Sequence, residues 1–267
     1  MTDGILTFAS LFSGCGGFDV GFAARGFRSR GAFDCDPEAI ENFAANVDGP
    51  VNRVDLTQGI PNEQSLFGVD ALIAGPPCQG FSTAGKRLVD DERNHLLTLT
   101  GILARRVSPK VLVVENVAGA LSGEHARYLN GLDSSMRLAG YRTHTMRCQV
   151  ADLGMAQLRR RVLFIAWRTG KDFEFTNPKL PASDLRSVIT GASRHRNHKP
   201  MSLDEQSREW LIAKRIRPGQ KLCNVRGGQN AVATWDIPEV FGKSTAHERT
   251  VLELLRRLRR QERQRDH

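Results

Sequence analysis

A cysteine held in a turn of glycine and proline is the first place in this sequence where chemistry is expected. Ala74-Gly-Pro-Pro77-Cys78-Gln79-Gly-Phe-Ser82 follows the apolar run 69–74, which reads as a buried parallel strand. A cysteine leaving the carboxyl end of such a strand stands where open α/β sheets place their ligands. Its thiolate is a nucleophile when neighbours lower its pKa; a buried, inert thiol is the alternative. The next residues, 83–94, are polar and without period, and read as a mobile loop. A second candidate is Glu115, which follows the buried run 110–114 and precedes Asn116 and Val117. A carboxylate there is costly unless paired, so its pKa is expected to rise and make it a proton donor; a salt-bridged strand end is the alternative. The third is Gln157-Leu-Arg159-Arg-Arg161. If this segment is extended, alternation sets Gln157, Arg159 and Arg161 on one face, where two guanidiniums suit phosphate or an oxygen gaining negative charge.

The elements around these residues set strands against helices. Residues 5–11 read as a first strand, followed at once by Phe12-Ser13-Gly14-Cys15-Gly16-Gly17-Phe18 and a helix over 19–25. Strand, glycine turn and helix form a nucleoside or phosphate cradle, because glycine lets the backbone approach a ligand. A second strand over 28–33 ends in Asp34-Cys-Asp36. An acid at that position suits the paired hydroxyls of a ribose. Asp36 before Pro37 is a good N-cap for the helix over 37–46, so Asp34 is assigned to the ligand and Asp36 to the cap. A third short strand, 51–54, closes on Asp55, which suits either an adenine amine or a local turn. Helical spacing over 94–107 and 124–138, and strands over 141–150 and 162–167, complete the unit. The pattern predicts an α/β fold with a doubly wound, mostly parallel, Rossmann-like sheet.

Texture changes after Arg168, so the chain is expected to divide into a catalytic region, 1–168, and a smaller basic, mainly helical region, 169–267. The latter carries a linker-like stretch at 177–181, a basic run at 194–199, and helical patterns over 202–216 and 246–265. Six arginines gather near the end of the last helix, which fits a DNA groove or a solvated helix end. The whole chain carries a net charge of +9 with a pI near 9.7, which points to a polyanionic partner. The first ninety residues lean acidic and the basic excess lies later. Five scattered cysteines without a CxxC pair support neither a disulfide framework nor a zinc site. No apolar run reaches the roughly 20 residues that span a bilayer, and no signal peptide is apparent. A reducing cytoplasm, no membrane and no metal are expected.

The four motifs at 12–18, 75–82, 115–117 and 157–161 together resemble the DNA (cytosine-5) methyltransferases. The resemblance covers about residues 5–167 and implies an S-adenosylmethionine-binding catalytic domain that releases S-adenosylhomocysteine. It implies that Cys78 attacks C6 of a flipped cytosine, and that Glu115 contacts N3 and the 4-amino group while Asn116 braces the segment. Arg159 and Arg161 would hold O2 and the site geometry, with Gln79, Ser82 and Gln157 on the substrate side. Phe12, Ser13, Gly14, Cys15, Gly17 and Pro77 would cradle the cofactor, with Asp34 on its ribose and Asp55 on its adenine. Duplex DNA is the implied partner, in a prokaryotic, nucleoid-associated, restriction–modification setting. The family continues with closing segments that this sequence only echoes at Gln229–Val232 and Thr245–Arg249. The expectation is therefore a truncated or split enzyme needing a second polypeptide. The alternatives are a non-autonomous base-flipping subunit, or a tRNA methyltransferase, whose Cys-Phe-Thr element is not matched by Cys223-Asn-Val.

Overall fold

The computed structural model describes residues 4–77, 95–170, 175–176, 179–194, 202–214 and 244–262. Cys78, Gln79, Ser82 and the expected loop 83–94 lie outside the described residues, as does the echo at 229–232. The described part divides into two compact units, Met1–Thr190 and Gly191–His267.

The first unit is built on a seven-stranded sheet in the order β3-β2-β1-β4-β5-β7-β6. Its strands are β1 (Thr7–Leu11), β2 (Arg28–Asp34), β3 (Val51–Arg53), β4 (Ala71–Ala74), β5 (Val111–Val117), β6 (Arg142–Gln149) and β7 (Arg160–Trp167). β1 to β5 run parallel, and β7 pairs antiparallel with both β5 and β6. The expected doubly wound, mostly parallel sheet is therefore present. Strand order reverses between β1 and β4, so the crevice at their carboxyl ends is the topological switch point where such sheets bind ligands.

Four helices connect these strands: α1 (Gly17–Ala23), α2 (Pro37–Asn46), α3 (His95–Val107) and α4 (Ala126–Leu138). α2 starts where the sequence expects it. Asp36 accepts from the backbone N–H groups of Glu38 and Ala39 at 2.9 and 3.3 Å, with Pro37 at the first turn. The central strands alternate between two environments. Leu72, Leu112, Val114, Val162, Phe164 and Ala166 are buried in one core with Leu97, Leu103, Leu129, Leu132 and Met136 of α3 and α4. Burying each Leu or Phe contributes about 1.5–3 kcal/mol. On the other face Phe8, Ala71 and Ile73 pack under Phe18, Phe22 and Phe27. Asp70 ties three strand starts together: it accepts from Thr7 N at 2.7 Å and from Lys110 Nζ at 2.6 Å. Partial burial pushes its pKa up, but Lys110 and Thr7 outweigh that and hold it below the usual carboxyl value.

A short helix α5 (Leu185–Thr190) ends the first unit and was not expected from the sequence. In the second unit α6 (Arg208–Ala213) is shorter than the predicted 202–216, and α7 (Ala246–Glu262) agrees with its pattern. α7 opens with a reciprocal capping box. Thr245 N donates to Glu248 Oε2 at 2.8 Å, and Glu248 N donates to Thr245 Oγ1 at 3.2 Å. That local role accounts for the Thr-x-x-Glu spacing that echoes a family segment.

Candidate active site at the switch point

Several chain segments lie at the carboxyl edge of the parallel strands. The first is the turn after β1. Phe12 and Gly14 take positive φ values of 52° and 54°, and Gly16 takes 84°. Nothing lies within 4 Å of where a Cβ on Gly14 would stand, whereas one on Gly16 would meet Val47 Cγ2 at 2.7 Å and Phe43 Cδ2 at 2.8 Å. Gly14 thus leaves room beside the turn, and Gly16 lets the turn lie against α2. Gly17, expected together with Gly14 to cradle the cofactor, has neither constraint; Gly16, which that expectation does not include, carries the steric demand. A Gly-x-Gly-Gly spelling does not reveal which glycine faces the neighbouring helix.

Asp34, at the end of β2, braces this turn. Its Oδ2 accepts from Gly14 N at 2.8 Å and its Oδ1 from Asp36 N at 3.0 Å. A carboxylate has about four acceptor positions, so these bonds orient Asp34 and leave capacity for a ligand hydroxyl. Ser13 N donates to Phe33 O at 3.1 Å, while Ser13 Oγ is buried without a hydrogen-bond partner. Cys15 is exposed beside it. Asp55 turns to a local partner: Oδ1 accepts from Thr57 N at 3.0 Å and Thr57 Oγ1 at 2.7 Å. These bonds to Thr57 hold its carboxyl below the ordinary value. The turn role anticipated as one alternative is present.

The second segment is the end of β4. Gly75 N donates to Leu11 O at 3.1 Å, and a Cβ on Gly75 would stand 3.4 Å from Phe12 O. This close approach sets Pro76, buried, and Pro77, exposed, against the turn after β1. Cys78 is the next residue in the chain.

β5 and β7 supply the charged part. Glu115 lies within β5, opposite Leu163, and Arg161 lies opposite Val117, so the two are diagonal neighbours on one face. Arg161 Nε stands 2.5 Å from Glu115 Oε1, both side chains being largely buried. The contact is one of charges: the N–H does not point along it as a hydrogen bond would. The expectation that Glu115 stands unpaired is thereby corrected, because an antiparallel neighbour supplies a cation that single-strand reasoning cannot see. Cys148 lies directly opposite Arg161, with its Sγ 3.7 Å from Arg161 O. Burial, then the Glu115 charge, push its thiol above the ordinary range, although Arg161 pulls the other way. It is therefore a poor nucleophile. Asn116 faces the opposite side, buried, with Oδ1 accepting from Val117 N at 2.8 Å.

The predicted common face of Gln157, Arg159 and Arg161 is not formed. The chain turns at this point, with Arg159 N donating to Gln157 O at 3.1 Å, and β7 begins only at Arg160. Gln157 and Arg159 are exposed, and Arg161 alone reaches the carboxylate. Alternation requires extended backbone, which starts three residues later than the sequence argument assumed.

A sheet with its switch point between β1 and β4, a glycine turn there, and an ion-paired carboxylate on the next strand define a Rossmann-like ligand-binding site. The C-5 cytosine-specific DNA methylase family matches residues 6–238, and this chain belongs to that family. Among its relatives, the type II methyltransferase M.AquIA of Picosynechococcus is 36% identical over 197 residues, covering 67% of this chain and 79% of that protein. M.NgoMIV of Neisseria gonorrhoeae is 30% identical over 263 residues, or 95% of this chain and 80% of that protein. M1.HphI of Haemophilus parahaemolyticus is 34% identical over 181 residues, and there this chain spans only about half of the relative, 49%. The fold resembles a solved structure described as a DNA modification methyltransferase encoded within an E. coli prophage. That likeness has a TM-score of 0.60 and 25% identity, covering 74% of this chain and 56% of the other. It also resembles Spodoptera frugiperda DNMT2, with a TM-score of 0.54 and 19% identity, covering 78% and 65%. Among the described residues no helix is long and apolar enough to cross a membrane.

Proposed function

We propose that this chain transfers a methyl group from S-adenosylmethionine to C5 of cytosine in duplex DNA. The observation that carries the reading is the Glu115–Arg161 pair on the strand next to the switch point, with the glycine turn on its other side, in a chain of the cytosine-5 family. The turn fits the cofactor. The orphaned Ser13 Oγ, the open space at Gly14 and the oriented Asp34 offer a donor, a close backbone approach and an acceptor. Phe12, Cys15, Gly17 and Pro77 would line it, and Asp55 would reach the adenine with the oxygen that Thr57 does not use. When bound, the cofactor supplies an electrophilic methyl.

In this reading the target base leaves the stack at a cost of a few kcal/mol. Glu115 would hold N3 and the exocyclic amine and relay to N3 a proton taken up from solvent, while the Cys78 thiolate would add to C6. Arg161 orients Glu115 before the base arrives and then turns toward O2, with Arg159 nearby. Methylation at C5 would release S-adenosylhomocysteine, after which loss of the C5 proton to a base would expel the Cys78 thiolate from C6 and N3 would return its proton to Glu115. Gln79, Ser82 and Gln157 would contact the substrate. Residues 1–168 would form the catalytic region and 169–267 part of the target-recognition region.

The test is transfer of labelled methyl to unmethylated genomic DNA by the chain alone and with each of two thiol variants. Cys78→Ser is expected to abolish transfer, while Cys148→Ser, whose thiol is held protonated, keeps it within a few-fold. Turnover that survives Cys78→Ser would sink the mechanism. Transfer to tRNA and not to DNA would favour the other substrate class.

A further inference from the structure

Resting on the DNA-methyltransferase reading, we propose that Arg160 is a positioning residue that holds a backbone phosphate of the DNA, at the outer rim of the site. The three arginines 159–161 are not equivalent. Arg161 is turned inward and is neutralised by Glu115. Arg160 is the first residue of β7 and lies opposite Gln149, so its side chain leaves the other face of the sheet. It is exposed, and among the described residues no ion pair or hydrogen bond holds its guanidinium. Its carbonyl, by contrast, is fixed: it accepts from Arg161 Nη1 at 2.8 Å. The group that meets Glu115 therefore also pins the backbone from which Arg160 projects.

Arg147 stands diagonally across the β6–β7 ladder on the same face; it is exposed but already has a partner, so Arg160 is the arginine the proposal assigns to the phosphate. The two form a basic rim at the end of the sheet where β5 delivers Glu115. A rim of this kind suits an oxygen-rich anion, because a guanidinium presents a fixed fork of donors to phosphate. Duplex DNA supplies one such charge per about 1.7 Å of axis. In this reading the base enters beside Arg161 and the flanking backbone runs along the end of the sheet, where Arg160 projects from the other face. The net charge of +9 agrees with a polyanion on this chain.

The experiment measures binding of an unmethylated mixed-sequence duplex to the full chain across a series of salt concentrations. The parent, Arg160→Ala and Arg160→Lys are compared, with calorimetric binding of S-adenosylhomocysteine as a control. Arg160→Ala is expected to weaken DNA binding about tenfold and to reduce the salt slope by about one, equally on unrelated sequences. Its cofactor affinity and thermal midpoint are expected to stay unchanged. Arg160→Lys, keeping the charge without the fork, should restore the slope and only part of the affinity. An unchanged slope in Arg160→Ala overturns the proposal. A parent chain that binds no DNA overturns the functional reading and this proposal together, so the two failures are distinguishable.

Discussion

At the level of single residues, the site separates charges that would otherwise interfere. Glu115 is met by Arg161 and the buried Glu63 by Arg106, while the buried Asp19 meets no cation among the described residues. Asp19 is fully buried in the first turn of α1, with Ser10 Oγ donating to its Oδ2 at 3.0 Å and its Oδ1 unpartnered. Burial raises its pKa above 3.8 by more than the hydrogen bonds from Ser10 and its own backbone lower it. The folded chain then holds this proton more tightly than the unfolded chain. Its contribution to stability is present below the ordinary carboxyl pKa and is lost as pH rises through the raised one. Asparagine has no such proton to lose. Asp19→Asn is therefore expected to gain stability relative to the parent as pH rises from about 4 to about 8, with the difference vanishing at the acid end. Urea unfolding across that range measures it, and a difference independent of pH would show that Asp19 stays in one protonation state. Ser10 and Asp19 were invisible to sequence reasoning because nothing in a strand-and-turn pattern says which polar side chains turn inward. Asp36 was readable because a cap acts on the two or three residues that follow it.

At the level of elements, most local signals and the mostly parallel sheet were legible, but the short α5 and the antiparallel pairing of β7 with β5 were not. β1, the glycine turn, β2, the cap of α2 and the buried run of β5 each announce themselves within a few residues. The neutralisation of Glu115 needs β7 beside β5 in antiparallel register, which no local spacing encodes. The turn at 157–159 also escaped, because its residues carry neither Gly nor Pro. The turn after β1 is where element packing can be tested most directly. Gly16→Ala must place a methyl within 3 Å of Val47 and Phe43 at a φ of 84°. The left-handed backbone and the overlap together predict a loss of about 2–4 kcal/mol. Gly14→Ala has the same handedness, φ 54°, but open space, and is expected to cost only about 1–2 kcal/mol. Its larger effect should fall on S-adenosylhomocysteine binding, since that space is where the cofactor would lie. Denaturant titration and calorimetry on both variants separate the two effects. Equal stability losses would mean that α2 yields to the methyl and does not constrain the turn.

For the whole molecule, the division of the chain sets what each part should do alone. The first unit, Met1–Thr190, contains all seven strands, the apolar clusters on both faces of the sheet and every described residue assigned to the cofactor. It also contains Arg159, Arg160 and Arg161. The second unit, Gly191–His267, contributes α6 and the capped, arginine-bearing α7, but no strand among its described residues. Sheet stability comes from strands buried against α3 and α4 within the first unit, so removing the second should leave that core intact. A chain ending at Thr190 is therefore expected to unfold cooperatively and to bind S-adenosylhomocysteine within a few-fold of the full chain. If residues 191–267 contribute to target recognition, the same fragment should lose DNA affinity by more than tenfold and show a shallower salt slope, since fewer phosphates are neutralised. Thermal denaturation, calorimetry and DNA titration on the two lengths measure these outcomes. A fragment that folds but fails to bind the cofactor would place part of the pocket beyond residue 190. One that keeps full DNA affinity would confine recognition to the sheet edge around Arg159–Arg161.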